Sequence, residues 1–487
     1  MKLRDMLTEL PYLKDTRGDL DTEISELTSG SRDRTDRGLF FCIVGARFDA
    51  HEFAYEAVQN GCVALVVERF LPIDVPQILV SDGRAAMARI AAAFYGYPAR
   101  GMKLVGITGT KGKTTTTYLL KAICEQAGFR CGLIGSTGSV IGKQRLDGHL
   151  TTPDPIDLQK MLRKMADEDV QVVCMEVSAH AIDMYRLDGM VFEVGCYTNL
   201  SQDHLDYFYN MDRYFETKKK FFTSDMVRNA AFNADEETTA RILPDISVPY
   251  VTYGIAADTD IYARDIEITE NGVSFDIQLR GMHEVRVDLK MTGRFNVYNA
   301  LAAASCALTL GIEPEVVRDG LQTVTSVPGR IEMLQTGTPY KVILDYSHSP
   351  DALENILTTV RQFARGRVIA LFGCGGDRDQ GKRPMMGEIG GRLADFCILT
   401  SDNPRTEDPM VILSAVEKGI RPTGKPYKVI ENRRDAIRYA LDMAQDGDII
   451  VLAGKGHETY QEIMGVKRPF DEKVIVSELL REKYERK

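Results

Sequence analysis

The sequence predicts an α/β protein built from several domains. Apolar runs rich in β-branched residues alternate with helical patterns along almost the whole chain, which is typical of parallel sheets covered by helices. The chain has 487 residues, more than one hydrophobic core normally supports. Clusters of Gly and Pro at Gly96–Gly101 and Ser326–Arg330 each follow a helical pattern and precede a new strand. They predict domains at residues 1–100, 101–327 and 328–487.

Composition and charge narrow the class of protein. With 44% hydrophobic and 27% charged residues the chain is of the ordinary globular type, and its net charge of −10 argues against a nucleic-acid partner. The N-terminal segment lacks a signal-peptide core, and no apolar run approaches the ~18 residues of a membrane span. None of the nine cysteines forms a CxxC pair, which argues against zinc. We therefore expect a cytoplasmic protein with reduced thiols and no membrane insertion.

A glycine-rich turn between a strand and a helix predicts a nucleotide-phosphate site. The apolar strand Lys103–Thr108 is followed by Gly109–Thr115 and then by a helical pattern. Such a turn points backbone N–H groups and the positive end of a helix at phosphates. Lys113 would reach the terminal phosphates, and Thr114 would ligate Mg²⁺. The spacing departs from the strict P-loop, because Ile107 stands at its first glycine position, but the context predicts a central P-loop-type parallel sheet.

Two further strands of the middle domain end in candidate metal ligands. The strand 172–176 ends in Glu176, where a nucleotidase places a metal-binding carboxylate. The strand 191–198 leads into Asp203 and His204. Taken singly, these residues could equally be a strand-end carboxylate and a capping loop. Beside the phosphate loop, they predict a Mg²⁺ site.

The C-terminal domain has four strand ends of one kind. Apolar strands in the segments 342–351, 368–379, 396–405 and 449–458 each run into a polar loop that contains glycine or proline. Ligands of open α/β sheets bind outside the carboxyl ends of the strands. The pattern therefore predicts a Rossmann-like domain with a substrate crevice.

Ten motifs in this order resemble the Mur ligase family, and within it the branch that adds diaminopimelate. The motifs are TGTKGKTT, TTPDP, EVSAHA, NLSQDHLDY, GRFNVYNALAA, VPGRIE, DYSHSPDAL, GCGGDRDQGKRP, SDNPRTEDP and GKGHE. The resemblance covers nearly the whole chain. It implies a monomeric cytoplasmic enzyme of peptidoglycan synthesis whose N-terminal, central and C-terminal domains bind the UDP-sugar, ATP and the amino acid.

The resemblance also implies roles for single residues. The positions that match ATP-binding residues are Gly109, Thr110, Lys111, Gly112, Lys113, Thr114, Thr115, Asn296, Asn299, Arg330, Asp345 and His348. The catalytic positions are Lys113, Glu176, His204 and Lys218, and the Mg²⁺ ligands would be Thr114, Glu176, His204 and Lys218. Ser31, Thr151, Thr152, Ser178 and Arg186 would hold UDP-N-acetylmuramoyl-L-alanyl-D-glutamate. The contacts to meso-diaminopimelate would be Arg378, Asp402, Asn403, Pro404, Arg405, Gly454 and Glu458.

Lys218 is interpreted differently with and without the resemblance. On its own, the segment 214–222 predicts the solvated face of an amphipathic helix. The family carries a carbamylated lysine at this position. An ammonium beside Mg²⁺ would be repelled, whereas an N-carboxylate formed from CO₂ is an oxygen ligand.

The segment Asp402–Arg405 points to the amino-acid substrate. In the resemblance, Arg405 pairs with the carboxylate at the far end of the diamino acid, which lysine lacks, and Glu458 suits the distal ammonium. A buried arginine left without its partner makes a site selective. The sequence therefore predicts ATP-dependent transfer of diaminopimelate onto the D-glutamyl γ-carboxylate through an acyl phosphate.

Other functions are open at this point. A lysine-adding homologue or a folylpolyglutamate synthetase-like ligase would share the fold and the acyl-phosphate chemistry. A P-loop ATPase switch or motor would hydrolyse ATP without an amine. A non-catalytic UDP-sugar-binding module would need no metal ligands.

Overall fold

The computed structural model describes residues 1–45, 48–142, 144–146, 150–256, 258–281 and 284–485. Three main sheets lie in sequence along this part of the chain. Each falls within one of the three ranges expected from the sequence. The exact boundaries of the domains stay a prediction.

The N-terminal region contains a five-stranded sheet in the order β1-β5-β4-β3-β2. Only β1 runs antiparallel to its neighbour. The apolar side chains of Leu39, Phe41, Val66 and Ile90 form much of its core. The elements are α1 (Leu3–Met6), β1 (Leu13–Arg17), β2 (Glu26–Thr28), β3 (Gly38–Phe41), α2 (Ala54–Gln59), β4 (Cys62–Val67), β5 (Gln77–Val80) and α3 (Gly83–Phe94).

The middle region contains an eleven-stranded sheet in the order β16-β15-β14-β13-β12-β11-β6-β10-β7-β8-β9. Its strands are β6 (Lys103–Thr108), β7 (Cys131–Gly135), β8 (Gly138–Ile141), β9 (Gln144–Leu146), β10 (Val172–Glu176), β11 (Val194–Tyr197), β12 (Ala230–Asn233), β13 (Tyr250–Gly254), β14 (Ile261–Thr269), β15 (Gly272–Leu279) and β16 (Glu284–Leu289). Its helices are α4 (Lys113–Gln126), α5 (Pro155–Asp167), α6 (Ala179–Asp183), α7 (Leu205–Phe208), α8 (Met211–Thr223), α9 (Thr239–Ile242), α10 (Arg294–Thr309) and α11 (Pro314–Thr323). β6 lies between β10 and β11, so the glycine-rich turn and both candidate metal ligands follow adjacent strands.

The C-terminal region contains a six-stranded sheet in the order β17-β18-β22-β19-β20-β21. Its elements are β17 (Glu332–Leu334), β18 (Lys341–Asp345), α12 (Pro350–Phe363), β19 (Val368–Phe372), α13 (Lys382–Leu393), β20 (Phe396–Leu399), α14 (Pro409–Ile420), β21 (Tyr427–Val429), α15 (Arg433–Met443), β22 (Ile449–Ala453), the hairpin β23 (Tyr460–Ile463) and β24 (Val466–Pro469), and α16 (Glu472–Glu485). β18, β22, β19 and β20 are adjacent and parallel. The four loops expected to line a crevice therefore leave the same edge of the sheet.

The expectation of parallel sheets almost throughout was wrong at the sheet margins. β7 to β9 and β14 to β16 pair antiparallel, as do β23 and β24. Two-residue connections explain several of these pairs, because only antiparallel strands can be joined so tightly. In the β23–β24 turn, Met464 and Gly465 have φ values of 50° and 74°, as such hairpin turns require.

All nine cysteines are buried. Across the described ranges, no helix combines the length and apolar character needed to cross a bilayer.

Candidate active site

The glycine-rich turn has a backbone that only glycine permits. Gly109 and Gly112 have φ values of 149° and 85°. A Cβ on Gly109 would lie 1.9 Å from Thr198 Oγ1, and one on Gly112 would lie 2.4 Å from Asn299 Oδ1. The tight turn places Lys113 as the first residue of α4. The positive end of this helix faces the carboxyl end of the sheet, where an anion is favoured.

A cavity of about 470 Å³ lies between the middle and C-terminal domains. It brings together most of the residues predicted for ATP and Mg²⁺. Those lining it are Thr110, Lys111, Gly112, Lys113, Thr114, Thr115, Glu176, His204, Asn299, Arg330, Asp345 and His348. Residues as far apart in the chain as Thr110 and His348 thus line one space. Their roles toward ATP and Mg²⁺ stay predictions.

Asn296 does not line this cavity but contacts Asn299, which does. Its Nδ2 donates to Thr292 O at 2.8 Å, and its Oδ1 accepts from Asn299 Nδ2 at 2.9 Å. Both amides are buried. Asn296 therefore orients Asn299, which lines the cavity.

Lys218 is buried, with 1% of the residue exposed, so its assignment to a solvated helix face was wrong. Its Nζ donates to Gly109 O at 2.9 Å and lies 4.7 Å from the centre of the Tyr214 ring. Tyr214, Lys218 and Phe222 follow each other at helical spacing and share the buried face of α8. That spacing was the available signal, and the flanking Lys219 and Lys220 obscured it.

The lysines around the turn are shifted toward their neutral form. Lys113 Nζ donates to Gly109 O at 2.8 Å and to Thr110 O at 3.0 Å. Burial lowers the pKa of Lys113 to about 8. Burial, together with the charge of Lys113, lowers the pKa of Lys218 well below its ordinary value. An anion bound between Lys113 and Lys218 would stabilise the protonated form of both lysines.

Oxygen donors suited to a hard cation lie beside the turn. Ser136 donates to Glu176 Oε1 from its backbone at 2.9 Å and from its hydroxyl at 3.1 Å. The hydroxyls of Ser136 and Thr114 lie 3.1 Å apart, and Arg330 Nη2 donates to Thr114 Oγ1 at 3.0 Å. Carboxylate and hydroxyl oxygens are the ligands that Mg²⁺ prefers. Thr114 and Glu176 therefore fit a magnesium site.

His204 completes this wall of the cavity. Its φ is 57°, and its ring packs edge-on against His180 with centroids 4.9 Å apart. Burial lowers the pKa of His204, which outweighs the effect of Asp203, so the imidazole is neutral and has a lone pair.

Asp203, which the sequence offered with His204 as a candidate metal ligand, lines the first cavity and faces Lys111. Lys111 Nζ lies 3.7 Å from Asp203 Oδ2 and donates to Ser349 Oγ at 2.5 Å. Despite burial, the Lys111 ammonium holds the pKa of Asp203 far below its usual range. Lys111 thus links the phosphate turn to the start of α12 in the C-terminal domain.

Tyr346 is a site residue that sequence reasoning missed. The Arg330 guanidinium lies 4.9 Å from the centre of its ring, and His348 Nδ1 donates to its carbonyl at 2.8 Å. The Tyr346 hydroxyl donates to Glu458 Oε1 at 3.2 Å. Its position within DYSHSPDAL was the only signal. Asp345, next to it, accepts from Ile331 N at 2.8 Å and also from Ser347 Oγ.

A second cavity, of about 490 Å³, adjoins the first and shares Ser136, Thr151 and Tyr346 with it. Glu458 lines this second cavity. His457, a further missed residue, closes the boundary, because its Nε2 donates to Ser136 O at 2.9 Å. The two cavities therefore lie side by side, and the second is lined by charges of both signs, Glu458 and Asp471 together with Arg145, Lys467 and Lys473.

The turn Asp402–Arg405 lies beside Glu458. Asn403 Nδ2 donates to Glu458 Oε2 at 2.9 Å. Pro404 packs with its carbonyl close to Gly376, and a Cβ on Gly454 would lie 2.6 Å from Asp402 Oδ2. Of the residues predicted for the diamino acid, Asp402, Asn403 and Pro404 thus belong to this turn, and Gly454 packs against it.

The two arginines predicted for the diamino acid do not line either cavity. Arg405 Nη1 donates to Gly376 O at 2.7 Å, and its Nε lies 3.5 Å from Glu462 Oε2. Arg378 is half-exposed and pairs with Asp206 of the middle domain at 3.7 Å. Their contact with a substrate stays a prediction.

Three of the residues predicted for the muramoyl dipeptide, Thr152, Ser178 and Arg186, form one hydrogen-bonded group, and Thr151 lines both cavities. Thr152 Oγ1 donates to Glu176 O at 2.9 Å and accepts from Ser178 N at 3.0 Å. Arg186 Nη1 donates to Thr152 O at 2.7 Å. Ser31 lies in the N-terminal domain, where its hydroxyl donates to Glu56 Oε2 at 2.7 Å, and it lines neither cavity.

Comparison with known proteins places the chain among ligases. The Mur ligase middle domain matches residues 107–307, and the Mur ligase glutamate ligase domain matches residues 329–456. Proteins named UDP-N-acetylmuramoyl-L-alanyl-D-glutamate–2,6-diaminopimelate ligase are similar from end to end. That of Clostridium acetobutylicum is 42% identical over 99% of this chain and 100% of its own, and that of Caldanaerobacter subterraneus is 44% identical over 99% of each. A solved structure of that name has a TM-score of 0.68 at 29% identity and covers 99% of both chains.

Proposed function

Since the chain belongs to the Mur ligase family, whose members are ATP-dependent ligases, we propose that it joins meso-diaminopimelate to UDP-N-acetylmuramoyl-L-alanyl-D-glutamate in peptidoglycan synthesis. The observation that carries this proposal is the pair of adjoining cavities. One is lined by the phosphate turn and the other by Glu458, and they share Ser136, Thr151 and Tyr346. An acid bound at the shared boundary can then react with ATP in one cavity and with an amine in the other.

The first step activates the acid. A γ-carboxylate oxygen of the D-glutamyl residue attacks the γ-phosphorus of ATP, the bond to the β,γ-bridging oxygen breaks, and ADP leaves with that electron pair. Lys113 turns from the carbonyls of Gly109 and Thr110 to the phosphates, and Arg330 lies near enough to Thr114 to share in neutralising them. The product is an acyl phosphate.

Magnesium would be held by Thr114, Glu176, His204 and carbamylated Lys218. When bound it supplies positive charge that neutralises the transferred phosphoryl group. The oxygens of Thr114 and Glu176 are donors of the kind that Mg²⁺ prefers, and the neutral ring of His204 would add a nitrogen lone pair.

The proposed carbamylation of Lys218 is based on the burial of its side chain and on the lowered pKa of its amine. The neutral amine is the form that attacks CO₂, losing a proton as the N–C bond forms, and burial favours that form. The resulting carbamate would lie near Lys111 and Lys113, whose positive charges would stabilise it.

The second step forms the amide. The amino group of diaminopimelate attacks the acyl carbon, and the tetrahedral intermediate expels inorganic phosphate together with the former carboxylate oxygen. Arg405 and Arg378 would hold carboxylates of the diamino acid, since a guanidinium binds a carboxylate with two hydrogen bonds. Glu458 would hold the distal ammonium, and Asp402, Asn403, Pro404 and Gly454, which line neither cavity, would position Glu458 and its loop.

The muramoyl dipeptide would bind along Thr151, Thr152, Ser178 and Arg186, and Ser31 would contact its UDP-sugar end. In this proposal residues 1–100, 101–327 and 328–487 bind the UDP-sugar, ATP and the amino acid, in that order. We further propose that the protein acts in the cytoplasm as a monomer.

Omitting each substrate in turn tests the proposed reaction. Phosphate release is expected only when ATP, the muramoyl dipeptide and diaminopimelate are all present. Phosphate release that requires neither the dipeptide nor the amine would instead indicate an ATPase switch or motor. Absence of nucleotide turnover with retained UDP-sugar binding would indicate a binding module.

Comparing amines separates the two closest alternatives. Turnover with meso-diaminopimelate should exceed that with L-lysine at equal concentration, because lysine lacks the carboxylate that Arg405 would bind. Equal or better use of lysine would point to a lysine-adding enzyme. Turnover with a folate and glutamate would point to a folylpolyglutamate synthetase.

A further inference from the structure

Lys455 is a fully buried cation for which the proposed reaction gives no role. It lies between Gly454 and Gly456, whose φ values are 120° and 52°. A Cβ on Gly456 would lie 2.8 Å from Gly329 O, and the space at Gly454 is closed by Asp402. The loop after β22 is therefore fixed on both sides of the lysine.

The Lys455 ammonium joins three segments around the proposed amino-acid pocket. Its Nζ donates to Asn403 Oδ1 at 2.9 Å and to Tyr460 O at 2.8 Å. It also lies 3.4 Å from Glu458 Oε2 and 3.5 Å from Asp402 Oδ1. One cation thus connects the β20 loop, its own loop and the β23–β24 hairpin.

Glu458 lines the second cavity, whereas Lys455 does not. Two carboxylates, Asp402 and Glu458, face Lys455 here, and of these three groups Glu458 is the one that lines the cavity. The Glu458 oxygens are also fixed by Asn403 Nδ2 at 2.9 Å and by the Tyr346 hydroxyl at 3.2 Å. This arrangement suits an incoming ammonium.

The ionisation of Glu458 depends on opposing neighbours. Burial and the Asp402 charge raise its pKa, and Lys455 opposes that rise. The other titratable or charged groups that interact with Glu458 or line its cavity come from several elements. They are Tyr346, Arg433, Tyr460, His457, Arg145, Lys467, Asp471 and Lys473.

We propose that Lys455 is a positioning residue that orients Glu458 and keeps it negatively charged for the distal ammonium of the diamino acid. This inference rests on the proposed function. Lys455 acts without touching the substrate, because Glu458 and Tyr460 separate it from the cavity. Its ε-amine is therefore a determinant of amine specificity.

Lys455→Met tests this role through kinetics and pH. The KM for diaminopimelate should rise at least about 10-fold, while the KM for ATP stays unchanged. The low-pH limb of kcat/KM for the amine should move up by about 1 pH unit or more, because loss of a nearby cation raises a carboxylate pKa. Lys455→Arg should restore the wild-type limb in part. If Lys455→Met does not fold, Lys455→Gln keeps a hydrogen-bonding head group without the charge and replaces it.

A double-mutant cycle with Glu458→Gln identifies the path of the effect. If Lys455 acts through Glu458, the double variant should have the same amine KM as Glu458→Gln alone. Lys483→Met is the control, since Lys483 also donates to a carbonyl and pairs with an aspartate, but on α16. An unmoved pH limb, or fully additive KM effects, would overturn the inference. Wild-type enzyme that does not use diaminopimelate at all would instead overturn the proposed function.

Discussion

At the scale of residues, the site depends on lysines that are buried without a full set of counter-ions. Lys113 and Lys218 share a single acceptor, Gly109 O, at 2.8 and 2.9 Å. Burial of two cations side by side is unfavourable unless an anion joins them. Binding of a phosphate and carbamylation of Lys218 should therefore stabilise the folded protein.

Lys113→Met should lower kcat/KM for ATP by about 10²- to 10³-fold, because a preorganised donor to the transferred phosphoryl group is lost. Steady-state phosphate release measures the change. Lys121→Met on the same helix is the control, since Lys121 only pairs with Glu125 at 2.6 Å. Equal activity of the Lys113 variant and wild type would remove Lys113 from the mechanism.

Lys218→Ala should abolish most activity, and a short-chain carboxylic acid should restore part of it by supplying the missing oxygen ligand. Intact-protein mass measured under gentle conditions should show one added CO₂ on the wild type and none on the variant. An unmodified Lys218 in a fully active enzyme would contradict the carbamate.

Arg405→Met should reduce the preference for diaminopimelate over lysine by about 100-fold or more, because the substrate carboxylate then lacks its partner. The ratio of kcat/KM for the two amines measures this. Arg421→Met serves as the control, since Arg421 is exposed and pairs with Glu417. An unchanged ratio would show that Glu462, rather than a substrate, is the partner of Arg405.

At the scale of elements, the sequence predicted those whose pattern is local. The run Lys103–Thr108, the turn after it and α4 form as expected, because an apolar strand, glycines at positive φ and a helical pattern coincide there. The antiparallel margins were missed, because short apolar strands have no signature of direction. The segment 214–222 taken alone predicted a solvated face for Lys218, because adjacent lysines obscured the i,i+4 spacing of the buried face.

Site residues were predictable where a motif carries their chemistry. Glu176 and Lys113 fall in this class. Tyr346, His457 and Lys455 do not, because their roles arise from contacts between segments that only the fold brings together. Spacing along the chain contains no information on such contacts.

The starts of α15 and α16 are joined by an ion pair without solvent exposure. Arg433 Nε donates to Glu472 Oε1 at 2.7 Å, and Arg433 Nη2 donates to Ala453 O at 2.9 Å. Arg433→Met should lower the free energy of unfolding by about 3–5 kcal/mol, since Glu472 remains buried without a partner. Urea titration measures this.

The neighbouring pair provides the matched control. Arg434 and Glu478 lie 2.7 Å apart but are 35% and 41% exposed, so Arg434→Met should cost only about 0–1 kcal/mol. Similar losses for the two variants would mean that burial does not set the cost here.

At the scale of the whole molecule, contacts between the middle and C-terminal domains surround the cavities. Lys111 contacts Ser349, Arg330 contacts Thr114, and His457 contacts the carbonyl of Ser136. These contacts limit access of water to the space where an acyl phosphate would form.

His457→Ala should therefore uncouple the reaction. Loss of the bond to Ser136 O loosens the boundary between the cavities, so water competes with the amine for the acyl phosphate. Phosphate and amide measured in the same sample should show more phosphate than amide, whereas wild type should form them in equal amounts. Equal amounts in the variant would argue against this role of the domain contact.

In the proposed reaction, one cleft makes an acid reactive by phosphorylating it. A muramoyl dipeptide whose D-glutamyl γ-carboxylate is labelled with oxygen-18 tests this step. With ATP and diaminopimelate, one labelled oxygen per turnover should appear in inorganic phosphate. Phosphate free of label, alongside normal amide formation, would contradict it.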